Sequence, residues 1–215
     1  MTRRITLKLA TSLDGRIATA SGESRWITCP EARQAVHQLR AEHQAVLVGV
    51  DTVIADDPAL TVRLDDYSGG QPRRIVLDSR QRIPLSSTLV ATAKTVPTIL
   101  ITTHPSNKRL TDAGVIVLQV GEWDGRVDLA AAMNALEGVG VETVLVEGGG
   151  QIATSFLSAG LIDAIEWFRA PILLGDEARP AIGGLDLRAL ADAPRLRRAS
   201  VKEVGVDLWE RYERS

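Results

Sequence analysis

Val144-Leu145-Val146-Glu147-Gly148-Gly149-Gly150-Gln151 reads as a strand that runs into a glycine turn. The continuous apolar run Val144-Leu145-Val146 is what a parallel strand covered on both faces requires. After the glycines, Gln151-Ile152-Ala153-Thr154-Ser155-Phe156-Leu157 returns to helical spacing. A strand that ends in glycines and opens a helix gathers backbone N–H groups and the positive end of a helix dipole at one point, which suits a phosphate. The acidic Glu147 is not what an anion site needs. The other reading is a tight strand-to-helix turn, with glycines for left-handed backbone and a solvated glutamate. From this stretch alone both stand.

The rest of the chain tells which kind of sheet this strand belongs to. Ile5-Thr6-Leu7-Lys8-Leu9-Ala10 alternates, with Ile5, Leu7 and Leu9 on one face and Thr6, Lys8 and Ala10 on the other. Ala45-Val46-Leu47-Val48-Gly49 is a second buried strand, followed by a short helix from Val50 that Asp56-Asp57-Pro58 stops. Between them, Thr28-Cys29-Pro30-Glu31 has capping-box spacing and predicts a helix to about His43. Its apolar stripe is Ala32, Val36 and Leu39, while Arg33, His37 and Arg40 ride on another face. Strands at residues 74–78, 98–102 and 115–118 alternate with loops or helices, and a helix over 128–136 starts near Asp128. Such units argue for an α/β fold with a largely parallel sheet and helices on its faces. Residues 164–169 alternate again, 176–194 are loop-like, and 196–204 with 206–212 read as a hairpin about Gly205. Those last strands extend the sheet in antiparallel fashion or pair with another chain.

Composition narrows the function classes. With 215 residues and 45% hydrophobic content the chain supports one sizeable core with room for a minor lobe, read as one domain over 1–215. A net charge of −2, with both signs dispersed, offers no nucleic-acid surface. No apolar run reaches the ~18–20 residues of a membrane span, and the N-terminus lacks a leader pattern. Cys29 is the single cysteine, which precludes an intramolecular disulfide and fits the cytoplasm.

Metal and nucleophile schemes find no support. His37, His43 and His104 are scattered without ligand spacing, and the two in the helix read as surface histidines. Cys29 has no evident base and reads as a small buried filler, and no G-x-S-x-G elbow is present. The glycine turn is not the G-x-G-x-x-G fingerprint either. The residues by themselves support an α/β domain with a phosphate or nucleotide site.

Blocks in a fixed order go further. Residues 7–18 (LKLATSLDGRIA), 21–28 (SGESRWIT), 49–63 (GVDTVIADDPALTVR), 76–79 (VLDS), 146–150 (VEGGG) and 171–175 (PILLG) resemble the reductase domain of bacterial riboflavin biosynthesis. That family is similar in fold to dihydrofolate reductase, with a central mostly parallel sheet and antiparallel C-terminal strands. The resemblance implies NADPH-dependent reduction of 5-amino-6-(5-phosphoribosylamino)uracil to its ribitylamino product, and a homodimer. It implies that Ser24, Arg40 and Arg63 bind the ribose phosphate, chemistry that a hydroxyl and two guanidinium forks suit. Leu60 would add a backbone or packing contact to the substrate. Ala10, Trp26, Thr52, Asp56 and Ser79 match cofactor-contacting positions, as do Gly148, Gly149, Gly150, Gln151, Ile152, Ala153, Thr154 and Ser155. Arg80, beside Ser79, is a further candidate for the 2′-phosphate of NADPH. Lys8 and Glu147 match positions at the reacting part of the substrate and are the expected catalytic pair; Glu147 also counts as substrate-binding.

The bifunctional arrangement of the family carries a zinc deaminase ahead of the reductase. Here the chain opens on the reductase's first strand, so the expectation is a reductase without a deaminase domain. Two other readings remain: a reductase of another heterocycle such as a dihydrofolate-like pterin, and a nucleotide-binding regulator without turnover.

Overall fold

The computed structural model describes residues 3–25 and 27–215. Trp26, matched above to cofactor contact, lies outside the described residues, as do Met1 and Thr2. In chain order the elements are β1 (Arg4–Thr11), β2 (Arg16–Ala18), α1 (Pro30–Ala41), β3 (Ala45–Gly49), α2 (Val50–Asp56) and β4 (Arg73–Leu77). Then come α3 (Thr88–Ala91), β5 (Thr98–Thr102), α4 (Lys108–Asp112), β6 (Ile116–Gln119), β7 (Glu122–Trp123), β8 (Arg126–Val127) and α5 (Leu129–Gly138). The last part holds β9 (Thr143–Val146), α6 (Gly150–Ser158), β10 (Ala164–Arg169), β11 (Arg179–Pro180), a 3-10 turn (Leu190–Asp192), β12 (Leu196–Val204) and β13 (Asp207–Arg214). The residues cluster into two compact units, one of 37–145 with Arg3 and one of 4–36 with 146–215.

In the first unit β3, β4, β5 and β6 pair in parallel, through Leu47↔Ile75, Ile75↔Ile99 and Ile99↔Ile116. The strand order is β9-β3-β4-β5-β6. Every residue of β3 and β5 is buried, the signature of strands covered on both faces. Right-handed crossovers from β3 through β6 step in one direction and put α2, α3 and α4 on one face. Val46, Val48, Val76 and Leu100 accordingly share a buried cluster with Val53, Leu89, Val90 and Leu110. The connection from β6 back to β9 steps the other way, so α5 covers the opposite face with Ala132, Met133 and Leu136. Asp128 caps α5, its Oδ1 accepting the N–H groups of Ala130 at 2.9 Å and Ala131 at 3.2 Å, as its place before the helix predicts. The short helices α3 and α4 and the β7–β8 hairpin have too little periodicity to be read from sequence.

In the second unit β1 pairs in parallel with β10, β10 pairs antiparallel with β13, and β12–β13 is the predicted hairpin. Gly205 has φ +61 in that turn, and a Cβ on it would lie 2.8 Å from both Cys29 Sγ and Glu31 Oε2. The start of α1 is held from this hairpin. Cys29 N–H donates to Asp207 Oδ2 at 2.7 Å, and its half-buried Sγ donates to the Val204 carbonyl at 3.1 Å. The cap is thus completed by a strand far along the chain as well as by local spacing.

A second clasp ties the first turn to the 171–175 block. Asp14 accepts the Ser12 hydroxyl and the N–H groups of Leu174 at 3.2 Å and Gly175 at 2.8 Å. The Ser12 hydroxyl, followed by the Gly175 and Leu174 amides, lowers its pKa from 3.8 to about 2. A depressed carboxyl contributes stability above its unfolded value and loses it as pH falls through the folded one. A carbon-detected NMR titration is therefore expected to place the Asp14 midpoint near 2, with the amides of Leu174 and Gly175 shifting in step. A midpoint at 3.8 would show that the clasp is not made.

Candidate active site

The second unit assembles Lys8, Glu147 and the glycine turn. Alternation along β1 puts Lys8 and Ala10 on the face that does not carry Ile5, Leu7 and Leu9. Glu147 is the first residue past β9. The Lys8 ammonium lies 3.7 Å from Glu147 Oε2, with the side chains only 16% and 6% exposed. Attraction of two unit charges at such a distance is worth ~4 kcal/mol at an effective dielectric of ~20, and removing the two ions from water costs at least as much together. The pair therefore adds little net stability. What it does is hold a proton donor and an acceptor side by side in a nearly water-free place.

The three glycines are not equivalent. A Cβ on Gly148 would lie 2.5 Å from Ile152 Cβ, and one on Gly150 would lie 2.5 Å from the Pro180 carbonyl oxygen. Both are close approaches that only glycine permits. Gly149 has φ −66 and ψ 177, which any residue adopts, and a Cβ there would meet nothing within 4 Å. It is the residue before α6 and brings no side chain to cap that helix. The turn thus presents open space next to the N-terminus of a nine-residue helix.

Beyond the turn, the residues matched to cofactor contact divide. Gln151 is exposed, Ile152 and Ser155 are half-buried, and Ala153 is fully buried. The Thr154 hydroxyl donates to the Gly150 carbonyl at 2.7 Å and accepts the Gly183 N–H at 2.6 Å, which ties the 180–183 segment to α6. Ser24 is exposed in the loop before α1.

The first unit assembles the arginine loop. Arg40, in the last turn of α1, donates through Nη1 to the Thr61 carbonyl at 2.9 Å. One turn earlier, His37 Nδ1 accepts the Arg63 N–H at 3.2 Å and lies 3.1 Å from the Thr61 oxygen. The Gln71 side-chain amide brackets Val62, accepting its N–H at 2.7 Å and donating to its carbonyl at 3.2 Å. Leu60 is buried at φ +54, a left-handed conformation that costs a leucine ~1–2 kcal/mol. These contacts hold residues 60–63 in one path with the Arg63 side chain exposed. His37 was read from sequence as a surface histidine. Its spacing of three from Arg40 on one helix face was the available signal for a shared task.

The same unit places Thr52 and Asp56 one turn apart on α2, just past the carboxyl end of β3, and Ser79 two residues past β4. Carboxyl ends of parallel strands are where folds of this class put ligands. Ser79 is pinned there: its hydroxyl accepts the Val127 N–H at 3.0 Å, and its carbonyl accepts the Thr103 hydroxyl at 2.8 Å. Asp56 is exposed at the end of α2, and the helix stop itself falls to Asp57, left-handed at φ +39. Arg80 is exposed. Among the described residues no three His, Cys, Asp or Glu side chains converge as a metal site, and no helix is long and apolar enough to cross a membrane.

Comparison with known proteins matches residues 3–209 to the family described as the RibD C-terminal domain. A riboflavin biosynthesis protein RibD from Aquifex aeolicus is 41% identical over 213 residues, 97% of this chain and 58% of that protein. The chain thus spans little more than half the length of that relative. A 2,5-diamino-6-ribosylamino-4(3H)-pyrimidinone 5′-phosphate reductase from Methanothermobacter thermautotrophicus is 36% identical over 211 residues, 97% of this chain and 96% of that protein. Among solved structures, Acinetobacter baumannii RibD matches with a TM-score of 0.87 and 34% identity, over 100% of this chain and 58% of that one. A dihydrofolate reductase from Enterococcus faecalis, at TM-score 0.53 and 15% identity over 99% of this chain and 96% of that one, shares the fold.

Proposed function

The chain belongs to the RibD C-terminal domain family, and on that premise we propose that it reduces 5-amino-6-(5-phosphoribosylamino)uracil to 5-amino-6-(5-phosphoribitylamino)uracil with NADPH in riboflavin biosynthesis. The observation that carries the reading is the Lys8–Glu147 pair, 3.7 Å apart and nearly buried, one residue from a glycine turn with open space at Gly149. Reduction at C1′ needs the ribosylamine ring opened to an imine, a hydride on C1′ and a proton on nitrogen. NADPH supplies the hydride when bound. Lys8 donates an N–H to an oxygen of the opened sugar or the uracil. Glu147 accepts an N–H of the aminopyrimidine and relays the proton. Ser24, Arg40 and Arg63 bind the ribose phosphate, with Leu60 shaping the loop between the arginines. Ala10, Trp26, Thr52, Asp56, Ser79 and residues 148–155 hold the dinucleotide, and open space at Gly149 fits a phosphate on backbone N–H groups.

That assignment separates the glycines by experiment. Gly149→Ala is expected to leave the urea midpoint unchanged and to raise KM for NADPH by tenfold or more, a loss of ~1.4 kcal/mol of binding. Gly150→Ala is expected to lose ~1–3 kcal/mol of stability outright, through the clash with Pro180. Equal KM in Gly149→Ala and wild type would remove the cofactor from this turn.

A second substrate has its own support. Near-complete coverage of the Methanothermobacter reductase, 96% of its length, favours the 2,5-diamino-6-ribosylamino pyrimidinone phosphate as the substrate whose C1′ is reduced. Loss of nicotinamide absorbance, followed with each pyrimidine phosphate and with dihydrofolate, decides the matter. Turnover of the aminouracil phosphate is expected, and turnover of dihydrofolate alone would sink the proposal. The working compartment is the cytoplasm, in keeping with Cys29 as the only cysteine. The working form is a homodimer, for which β12, the end strand of its unit with Val201 46% exposed, offers an edge. Sedimentation at a monomer mass would rule the dimer out.

A further inference from the structure

In the second unit an arginine lies on the turn that leads to Ser24. The chain leaves β2 at Ala18 and closes at once on itself. Thr19 N–H donates to the Glu23 carbonyl and Gly22 N–H to the Thr19 carbonyl, both at 2.9 Å, and the Thr19 hydroxyl accepts the Glu23 N–H at 3.1 Å. Ser24 follows that turn and is exposed. β11 pairs antiparallel with β2 and sets Arg179 opposite Ala18, where the turn begins. The Arg179 guanidinium rests on Gly22: a Cβ there would lie 2.9 Å from Nη2, 3.2 Å from Cζ and 3.4 Å from Nη1. Gly22 also has φ +94, so its backbone and the arginine both exclude a side chain. One residue on, the Pro180 carbonyl reaches Gly150, and the Ala181 N–H donates to the Gly15 carbonyl at 3.0 Å. The backbone that carries Arg179 is thus fixed to the first turn and to the glycine turn alike. The acids near it in the chain are turned elsewhere. Asp176 meets Arg16 at 3.2 Å, and Glu177 Oε2 folds back over Gly175, 3.3 Å from where a Cβ would stand. Arg179 and Glu23 are both exposed, and among the described residues the Arg179 guanidinium makes no ion pair or hydrogen bond.

We propose that Arg179 binds the phosphate monoester of the pyrimidine substrate together with Ser24; this rests on the reductase reading above. An arginine fork matches two phosphate oxygens, and a hydroxyl beside the same turn supplies a further donor. Packing on Gly22 restricts the guanidinium before substrate arrives, so less freedom is lost on binding. The phosphates of a dinucleotide share this chemistry, and the glycine turn touches the same segment. The side chain, however, lies on Gly22, two residues before Ser24, while only the next residue's carbonyl reaches Gly150. That division favours the monoester.

The test uses the full chain with Arg179→Gln, which removes the charge, and Arg179→Lys, which keeps the charge without the fork. Steady-state kinetics are run with the pyrimidine phosphate and with the same compound lacking its phosphate. Arg179→Gln is expected to raise KM for the phosphate about tenfold or more, the worth of a charge-assisted hydrogen bond, with kcat and the KM for NADPH within twofold. Turnover of the dephosphorylated compound is expected to be unchanged, because the lost bond is to the phosphate. Arg179→Lys is expected to recover part of the affinity. Equal loss on both compounds would show that Arg179 only shapes the turn. A raised KM for NADPH with the pyrimidine KM unmoved would assign it to the cofactor instead. Either result overturns the proposal. An independent readout is the broadening of the phosphorus NMR signal of ribose 5-phosphate, expected with wild type and largely lost in Arg179→Gln. Equal broadening by the two, or none by wild type, would overturn the proposal as well. If wild type does not reduce the pyrimidine phosphate at all, the reductase reading fails, and the ribose 5-phosphate comparison still decides whether Arg179 holds a phosphate monoester.

Discussion

Lys8→Met is expected to lower the rate of hydride transfer in single turnover by about 10²–10⁴-fold at saturating substrate, the range that one positioned acid–base group contributes. Glu147→Gln is expected to fall in the lower half of that range, since the amide retains one acceptor and the shape. The two losses should not add. Each side chain orients the other across 3.7 Å, so the double variant is expected to be little worse than Lys8→Met alone. Removing one charge leaves the other nearly buried without its partner, at 6% exposure for Glu147 and 16% for Lys8. Part of any activity loss could therefore be loss of fold, and a urea titration alongside separates the two. A rate within threefold of wild type in both single variants, with folding intact, would remove the pair from catalysis.

Arg74→Met is expected to destabilise the protein by about 2–4 kcal/mol, from acceptors that lose a charge-assisted partner at ~1–3 kcal/mol each. Arg74 is 1% exposed in β4 and no carboxylate is among its hydrogen-bond partners. Its guanidinium donates to Thr92 Oγ1 at 2.7 Å, the Leu89 carbonyl at 3.2 Å and the Val96 carbonyl at 2.6 Å. These acceptors belong to α3 and the turn into β5, so one side chain ties a four-residue helix to the sheet. Burial makes the cation costly and pushes its pKa down to about 10. That cost offsets part, and only part, of what the three hydrogen bonds contribute. Thr98 Oγ1 also donates to the Leu89 carbonyl, at 2.9 Å, so that acceptor keeps a partner and the loss stays at a few kcal/mol. A lower urea midpoint at unchanged slope would confirm the balance. A variant as stable as wild type would mean that desolvation of the charge had cancelled the three bonds.

Arg74 also marks where reading from sequence stops. It is the second residue of a strand, and an arginine there is ordinarily solvated. Nothing local says that Thr92, Leu89 and Val96 will close over it. Glu166 is the same case. The alternation of residues 164–169 predicts a strand with one polar face, and only pairing with β13, some forty-five positions away, buries the carboxylate. His37 read as a surface residue because the loop that carries Arg63 is not visible in helix periodicity.

The sequence by itself determined the elements and their kind: the β1 alternation, the buried β3 and β5, the Asp128 cap, the Gly205 hairpin, and the strand that ends at Val146 ahead of Glu147 and three glycines. Those features depend on side-chain period and turn chemistry within about ten residues. Tertiary structure alone decided that Lys8 stands 3.7 Å from Glu147 and in register with Glu166. It also decided that Gly148 and Gly150 are required by Ile152 and Pro180 while Gly149 is left open. Register between distant strands and the approach of one backbone to another are set by packing of the whole core, and no local pattern encodes them.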